Sequence, residues 1–110
     1  MSFTASKQGD ITIIEIEGQL IVGNRQALKQ MVLDDLEKGT RKVLVDFART
    51  GYIDSSGLGV LVSLAKKIRE MGGELRLANL SDDLLTLFEL TKLDTLFQIS
   101  ETRERALESF

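Results

Sequence analysis

The sequence predicts an α/β protein with a mixed sheet of about four to five strands, an N-terminal hairpin and about four covering helices. Two observations predict this class. Strand-like and helix-like segments alternate along the whole chain, and one strand-like segment is apolar almost throughout. Alternating strands and helices favour right-handed parallel crossovers, which place helices on the faces of the sheet. A tight turn near the start joins two strand-like segments directly, and this hairpin makes the sheet mixed.

The hairpin is predicted from two segments on either side of a short turn. The segment Ile11 to Glu17 is β-branched and partly alternating, as a half-exposed strand should be. The segment Phe3 to Lys7 can pair with it across the turn Gln8-Gly9-Asp10. We therefore expect the chain to open with two antiparallel strands.

The next two elements are predicted to be a helix and a buried strand. Apolar residues recur at helical spacing from Asn24 to Lys38, with Asn24 as a plausible N-cap and Gly39 where the helix would end. The segment Lys42 to Phe47 is then almost continuously apolar, the pattern of a strand covered on both faces.

The second half of the chain repeats this alternation. An apolar stripe from Leu58 to Ile68 predicts a second long helix, and later segments alternate as a strand should. The later elements are the strand Glu74 to Ala78, a short helix capped by Ser81 and carrying Leu84, Leu85 and Phe88, the edge strand Phe97 to Ile99, and a last helix capped by Ser100 and carrying Ala106, Leu107 and Phe110.

The composition excludes several classes of function. The chain has no histidine and no cysteine, so a Ser-His-Asp triad, a Cys-His pair, a disulfide and the common zinc sites are impossible. We expect no catalytic residues, no bound metal and no cofactor. The formal net charge of −3 argues against nucleic acid as a partner, since the densest basic group, Lys66, Lys67 and Arg69, is followed at once by Glu70.

Targeting and membrane signals are also missing from the sequence. No apolar run of about 18 residues is present, so we expect no membrane insertion. The segment Met1 to Thr4 lacks the charged start and apolar stretch of a signal peptide. The expected location is the cytoplasm.

The segment Asp54-Ser55-Ser56-Gly57-Leu58-Gly59 joins a predicted strand to a predicted helix. The start of a helix presents unpaired N–H groups and the positive end of the helix dipole, which favour negative charge. The glycines nevertheless match neither a P-loop nor a dinucleotide fingerprint. Capping alone would explain one serine, and two exceed what one cap needs. If Ser56 caps the helix, Ser55 points outward, beside the polar Asp54.

The sequence around these serines resembles the signature of the STAS domain, the family named for sulfate transporters and anti-sigma factor antagonists. The resemblance is carried by the segment from Tyr52 to Leu61. Three further matches extend it over almost the whole chain: Gly18-Gln19-Leu20 in the turn after the second strand, Val45-Asp46-Phe47 before the serine segment, and Gly72-Gly73-x-Leu75 before the next strand.

The resemblance implies that residues 1–110 form a single STAS domain that is an anti-sigma factor antagonist and not an enzyme. It implies Ser55 as a phosphate acceptor, modified by an anti-sigma factor that is a serine kinase and restored by a serine phosphatase. The unmodified form would bind the anti-sigma factor and release the sigma factor. We expect a monomer or weak dimer. The partner-binding surface would comprise Gln19, Ile21, Asn24, Asp54, Ser55, Ser56, Gly57, Leu58 and Gly59.

One residue departs from the family pattern. The family has an Asp at the end of the turn after the second strand, near the acceptor serine, and this chain has Ile21 there. Asn24 is polar and close in sequence but carries no charge. The departure leaves open how readily a kinase modifies this chain, and whether Ser55 or Ser56 is the acceptor is a matter for experiment.

Several alternatives remain open at this point. The same domain could serve a membrane transport or stress-signalling assembly without a sigma cycle. A small enzyme with Ser55 as nucleophile would have only lysines or carboxylates as bases. Leu58 fits either an exposed anchor or the core, and Tyr52 and Phe47 are expected to pack. Asp46 is expected to accept hydrogen bonds from the loop that follows its strand.

Overall fold

The structure, a computed structural model, describes residues 2–110, which form six strands and four α-helices around one mixed sheet. In chain order the elements are β1 (Ser2–Gln8), β2 (Ile11–Leu20), α1 (Arg25–Glu37), β3 (Lys42–Asp46), β4 (Thr50–Ile53), α2 (Ser55–Glu70), β5 (Glu74–Ala78), α3 (Asp82–Leu90), β6 (Gln98–Ser100) and α4 (Arg103–Ser109), with a short 3-10 turn at Leu93–Thr95.

The sheet has the order β1-β2-β3-β5-β6, with β4 paired to the far end of β2. The predicted hairpin is confirmed, since β1 and β2 pair antiparallel from Ser2↔Glu17 to Gln8↔Ile11. All other strand pairs are parallel and joined by crossovers, as the alternation of strands and helices predicts. The predicted mixed α/β architecture is therefore confirmed.

Strand β4 is the element that the sequence pattern does not reveal. Strand β2 is ten residues long, and only its first half, Ile11 to Glu15, pairs with β3. Its last residues, Gly18 to Leu20, pair with β4 across a shift of register. The four-residue segment of β4 contains a glycine and has no clear alternation of apolar and polar residues. Its pairing depends on the residues of β2 that extend beyond β3.

Two apolar clusters hold the layers together. The larger one lies between the sheet and helices α1, α2 and α3, and contains Ile14 and Ile16 of β2. The smaller one lies under α4 and contains Ile11 and Ile13 from the other face of the same strand. Successive side chains of a strand point to opposite faces, so β2 contributes to both clusters. The sheet is therefore covered on both sides.

The ends of two late helices test the predicted caps. Ser81 caps α3 as predicted, because its Oγ accepts a hydrogen bond from the Leu84 N–H at 3.2 Å. The prediction that Ser100 caps the last helix is wrong. Ser100 ends strand β6, and the Oγ1 of Thr102 caps α4 by accepting from the Arg105 N–H at 3.1 Å.

A buried carboxylate fastens α4 to the sheet. Asp46, only 4% exposed at the end of β3, accepts from the Ala48 N–H at 2.9 Å, as predicted from sequence. It also accepts from Asn79 Nδ2 at 3.0 Å and from Arg103 Nε at 2.8 Å, and Arg103 pairs with Glu15 as well. Burial alone would raise the pKa of Asp46, but the donated hydrogen bonds and the nearby guanidinium together lower it below its ordinary value.

Candidate functional site

The end of strand β2, the turn after it and the start of helix α2 meet at one surface. The Asp54 N–H donates to the carbonyl of Leu20 at 3.1 Å, and the Val22 N–H donates to Asp54 Oδ2 at 3.1 Å. Gln19 and Tyr52 lie opposite each other across the β2–β4 pair. The structure thus brings together two segments that are more than 30 residues apart in sequence, both of which contain predicted site residues.

Asp54, not Ser56, caps helix α2. Asp54 Oδ1 accepts from the Gly57 N–H at 2.8 Å and from the Ser56 hydroxyl at 2.7 Å. The prediction that Ser56 is the cap is therefore wrong, because the helix begins at Ser55, two residues earlier than a cap at Ser56 would place it. The hydrogen bond from Ser56, followed by the one from Gly57, lowers the pKa of the Asp54 carboxyl.

Ser55 occupies the first position of helix α2 and is exposed. Within the part of the chain that the structure describes, its hydroxyl forms no hydrogen bond, whereas the Ser56 hydroxyl donates to Asp54. Modification of Ser55 therefore removes no contact that holds the helix end. Of the two serines, Ser55 is the one whose oxygen is open to another molecule.

Gly57 is required because two backbone segments approach closely there. A Cβ atom on Gly57 would lie 2.5 Å from the carbonyl oxygen of Leu20 and 2.9 Å from Ile53 Cγ2. A Cβ on Gly59 would meet nothing within 4 Å. Gly57 thus keeps the start of α2 against the end of β2, and Gly59 leaves an open place on the exposed face of the helix.

This contrast gives a paired stability prediction. We expect Gly57→Ala to lower the free energy of unfolding by about 1–3 kcal/mol, because its Cβ meets backbone that cannot move independently. The matched control Gly59→Ala should raise it by up to about 1 kcal/mol, since alanine is the better helix former. Urea denaturation of both variants measures the difference. Similar effects at the two positions would contradict the close approach at Gly57.

Asn24 and Ile21 lie on the N-terminal side of the site, in and after the turn that follows β2. Asn24 is buried and does not reach the surface. Asn24 stands at the N-cap position of α1 as predicted, yet its buried side chain braces the preceding turn instead of capping the helix. Its Nδ2 donates to the Gln19 carbonyl at 2.7 Å, and its Oδ1 accepts from the Ile21 N–H at 2.8 Å. Asn24 therefore fixes the shape of the turn, and the half-buried Ile21 supplies no charge.

The core alternative is the correct one for Leu58. Its side chain is only 7% exposed and belongs to the main apolar cluster, which excludes an exposed anchor. Phe47 is also buried, as predicted. Tyr52 is the reverse case, because the expectation that it packs is wrong and it is 56% exposed.

Sequence reasoning missed two exposed apolar side chains at this surface, Tyr52 and Val22. Val22 is 65% exposed, in the turn whose N–H contacts Asp54. In the structure Tyr52 and the buried Ile53 are neighbours in β4 and point to opposite faces, but the sequence gives no such signal because β4 itself is not predicted. No signal marks Val22 either, which lies in a turn. Exposed apolar side chains beside polar ones are typical of a protein-binding surface.

Asp54 is poorly suited to activate Ser55 as a nucleophile. Asp54, which directly precedes Ser55 in the sequence, accepts three hydrogen bonds and has a lowered pKa, so it is a poor general base. Over residues 2–110 no three acidic side chains cluster in a way that could hold a metal ion. The site presents the exposed hydroxyl of Ser55 at the start of helix α2.

Comparison with known proteins finds a matching family model and several related proteins. The family model of the STAS domain matches residues 2–106. BtrV of Bordetella bronchiseptica, assigned as an anti-sigma factor antagonist, is 31% identical over 110 residues, which are 100% of this chain and 95% of that protein. The anti-sigma-B factor antagonist of Bacillus subtilis is 32% identical over 95 residues, 86% of each chain.

Solved structures share the fold. The crystal structure of TM1081 from Thermotoga maritima matches with a TM-score of 0.92 at 30% identity, over 97% of this chain and 92% of that one. The anti-sigma factor antagonist SpoIIAA, in its unphosphorylated form, matches with a TM-score of 0.78 at 18% identity, over 98% and 96%. In the described residues, none of the helices is both long enough and apolar enough to span a bilayer.

Proposed function

This chain belongs to the STAS domain family of anti-sigma factor antagonists, and on that premise we propose that it is a binding protein controlled by phosphorylation of Ser55. In this proposal the unmodified protein binds an anti-sigma factor that is also a serine kinase, and so releases the sigma factor. Phosphate on Ser55 ends the binding, and a serine phosphatase restores it. The protein acts by binding and catalyses no reaction itself.

The observation that carries the proposal is the difference between the two adjacent serines. Ser55 is exposed and without a hydrogen bond in the described chain, while Ser56 is held by Asp54. A kinase needs a hydroxyl that can enter its active site, and Ser55 meets that need without disturbing the helix cap. The exposed side chains of Tyr52 and Val22 beside it supply apolar contact area for the partner.

Properties of relatives support the same proposal. The fold neighbour SpoIIAA has been solved in a phosphorylated form as well, at a TM-score of 0.77 and 19% identity. The match of the family model to residues 2–106 supports the expectation that residues 1–110 form a single STAS domain. We place the protein in the cytoplasm, where its proposed kinase and phosphatase partners would act, as a monomer or weak dimer.

The site of modification is directly testable. We expect incubation with the cognate anti-sigma factor kinase and ATP to place one phosphate on Ser55, as determined by mass spectrometry of the digested protein. Ser55→Ala should abolish the modification, and the matched variant Ser56→Ala should keep it. Phosphate on Ser56 would overturn the assignment of Ser55. No modification at all would contradict the proposal and favour the same fold serving a transport or stress-signalling assembly.

A further inference from the structure

A groove lies between the C-terminal half of helix α2 and the segment that leads into β6. Its volume is about 220 Å³. It is separate from the Ser55 surface, which is at the other end of the same helix. The residues that line the groove are Val62, Ala65, Lys66, Arg69, Leu96 and Phe97.

The floor and one wall of the groove are apolar. Val62 and Ala65 are half-buried on α2, and Phe97 is buried below them. Leu96 is 45% exposed and forms the opposite wall. An apolar side chain placed here would contact these four residues and cover the exposed part of Leu96, which is favourable because it removes apolar surface from water.

The rim of the groove is cationic. Its two charged residues, Lys66 and Arg69, are exposed, and neither forms an ion pair within residues 2–110. A chain with a formal net charge of −3 thus presents two unpaired cations beside an apolar floor. These cations belong to the densest basic group of the sequence, which the proposed function does not use.

The groove continues into a neighbouring cleft of about 350 Å³ that is also lined by Arg69, Leu96 and Phe97. Arg76 also lines this cleft, but its guanidinium is directed to α4, where Nη1 donates to Ser109 Oγ at 2.9 Å, and its buried Nε is out of reach of a ligand. The one carboxylate that lines the cleft, Glu74, is already paired with Arg76 Nη2 at 3.0 Å. The cations that a ligand on this continuous surface can reach are therefore Lys66 and Arg69.

We infer that this groove binds an acidic, apolar segment of a partner protein. Aliphatic or aromatic side chains of the segment would lie on Val62, Ala65 and Leu96, and its carboxylates would pair with Lys66 and Arg69. Charge complementarity selects an acidic segment over a basic one, because a basic segment would leave both cations opposed by like charge. The small groove suits a few side chains of a peptide segment and not a broad interface.

This second site should act independently of Ser55. The two sites lie along one helix, and 14 residues at 1.5 Å each separate Ser55 from Arg69 by about 21 Å. Exposed charges are screened over about 8 Å at physiological ionic strength. A phosphate on Ser55 should therefore leave binding in the groove unchanged. The inference goes beyond the proposed function and does not depend on it.

The test is an NMR titration of the ¹⁵N-labelled full chain with a short synthetic peptide. In this peptide leucines recur at helical spacing and glutamates occupy positions between them. We expect amide shifts to concentrate on Val62, Lys66, Arg69 and Leu96. The double variant Lys66→Glu/Arg69→Glu should weaken peptide binding by about 10-fold or more. The matched control Lys38→Glu, an exposed charge reversal just after α1, should not.

Three further measurements make the outcome decisive. A matched peptide with lysine in place of glutamate should not bind the groove, and equal binding of both peptides would overturn the inference. Phosphatidylcholine vesicles containing phosphatidylserine should not bind the chain, and vesicle binding that requires Lys66 and Arg69 would assign the groove to an anionic membrane surface instead. The variant Ser55→Asp should bind the acidic peptide as the wild type does, so that this result and the kinase assay can fail separately.

Discussion

Replacing Ser55 with Asp should lower the affinity for the cognate anti-sigma factor about 100-fold or more, which corresponds to roughly 2.7 kcal/mol of binding free energy. The fold should persist. Ser55 makes no hydrogen bond in the described chain, and the cap of α2 is formed by Asp54. A negative charge at the first position of a helix also interacts favourably with the helix dipole, by about 0.3–1 kcal/mol. We therefore expect the proposed switch to act on the binding surface and not on folding.

The loss of affinity follows from where the new charge lies. A phosphate brings about −1.5 to −2 charges to an exposed position next to the Asp54 carboxylate, whose lowered pKa keeps it ionised at neutral pH. In a complex, both charges would have to be desolvated against a partner surface that fits a small neutral hydroxyl. Charge repulsion and uncompensated desolvation at such a position cost several kcal/mol. Aspartate carries less charge than phosphate and reports a lower limit of the effect.

Calorimetric titration and thermal melting of three variants test this expectation. Ser55→Ala should bind the anti-sigma factor as tightly as the wild type does, and Ser55→Asp should bind it about 100-fold more weakly or worse. Ser63→Asp adds the same charge at another exposed position of α2, two turns further along the helix, and controls for net charge. If Ser55→Asp melts well below the wild type, or if the alanine and aspartate variants bind equally, the switch does not act in the way proposed.

The fold was largely predictable because its signals are local and periodic. The hairpin, the buried strand β3 and the long helices each follow from hydrophobic spacing that a short window of sequence reveals. Strand β4 was not predictable, because Thr50 to Ile53 pairs only where β2 outlasts its partner β3. The cap of α4 was not predictable for the same reason, since it depends on a pairing between distant segments. Ser100 pairs with Ala78 and so belongs to strand β6 instead of capping the helix.

The candidate site was predicted in its location but not in the roles of its parts. The sequence marks the segment from Asp54 to Gly59, yet the choice between Asp54 and Ser56 as cap depends on a two-residue difference in where α2 begins. Sequence spacing is least reliable at such boundaries. The exposure of Val22 depends on how distant segments pack, and no local pattern encodes that packing. Asn24 braces the turn through bonds to the nearby Gln19 and Ile21, and its position before α1 does not distinguish this role from capping.

Asp46 and Arg103 are 57 residues apart in sequence, and this contact is the most distant one that the Asp46 side chain makes. Its removal should have a large effect on stability. Arg103→Met should lower the free energy of unfolding by about 3 kcal/mol at pH 7, because it leaves a buried carboxylate without its cation. The value is at the lower end for buried pairs because the Arg103 side chain is 28% exposed. The matched control Arg105→Met, on the same helix and without an ion pair in the described residues, should change it by less than about 0.5 kcal/mol.

The effect of Arg103→Met should depend on pH in a defined direction. The folded state holds the pKa of Asp46 below its ordinary value of 3.8, so ionised Asp46 contributes stability above the pKa of the unfolded chain. That contribution is lost as the pH falls through the lower, folded-state pKa. The difference between wild type and Arg103→Met should therefore be complete at pH 7 and shrink as the pH is lowered below about 4. Denaturant unfolding from pH 7 to pH 2 measures it, and a difference that stays constant over this range would mean that Arg103 acts by packing alone and not through the charge of Asp46.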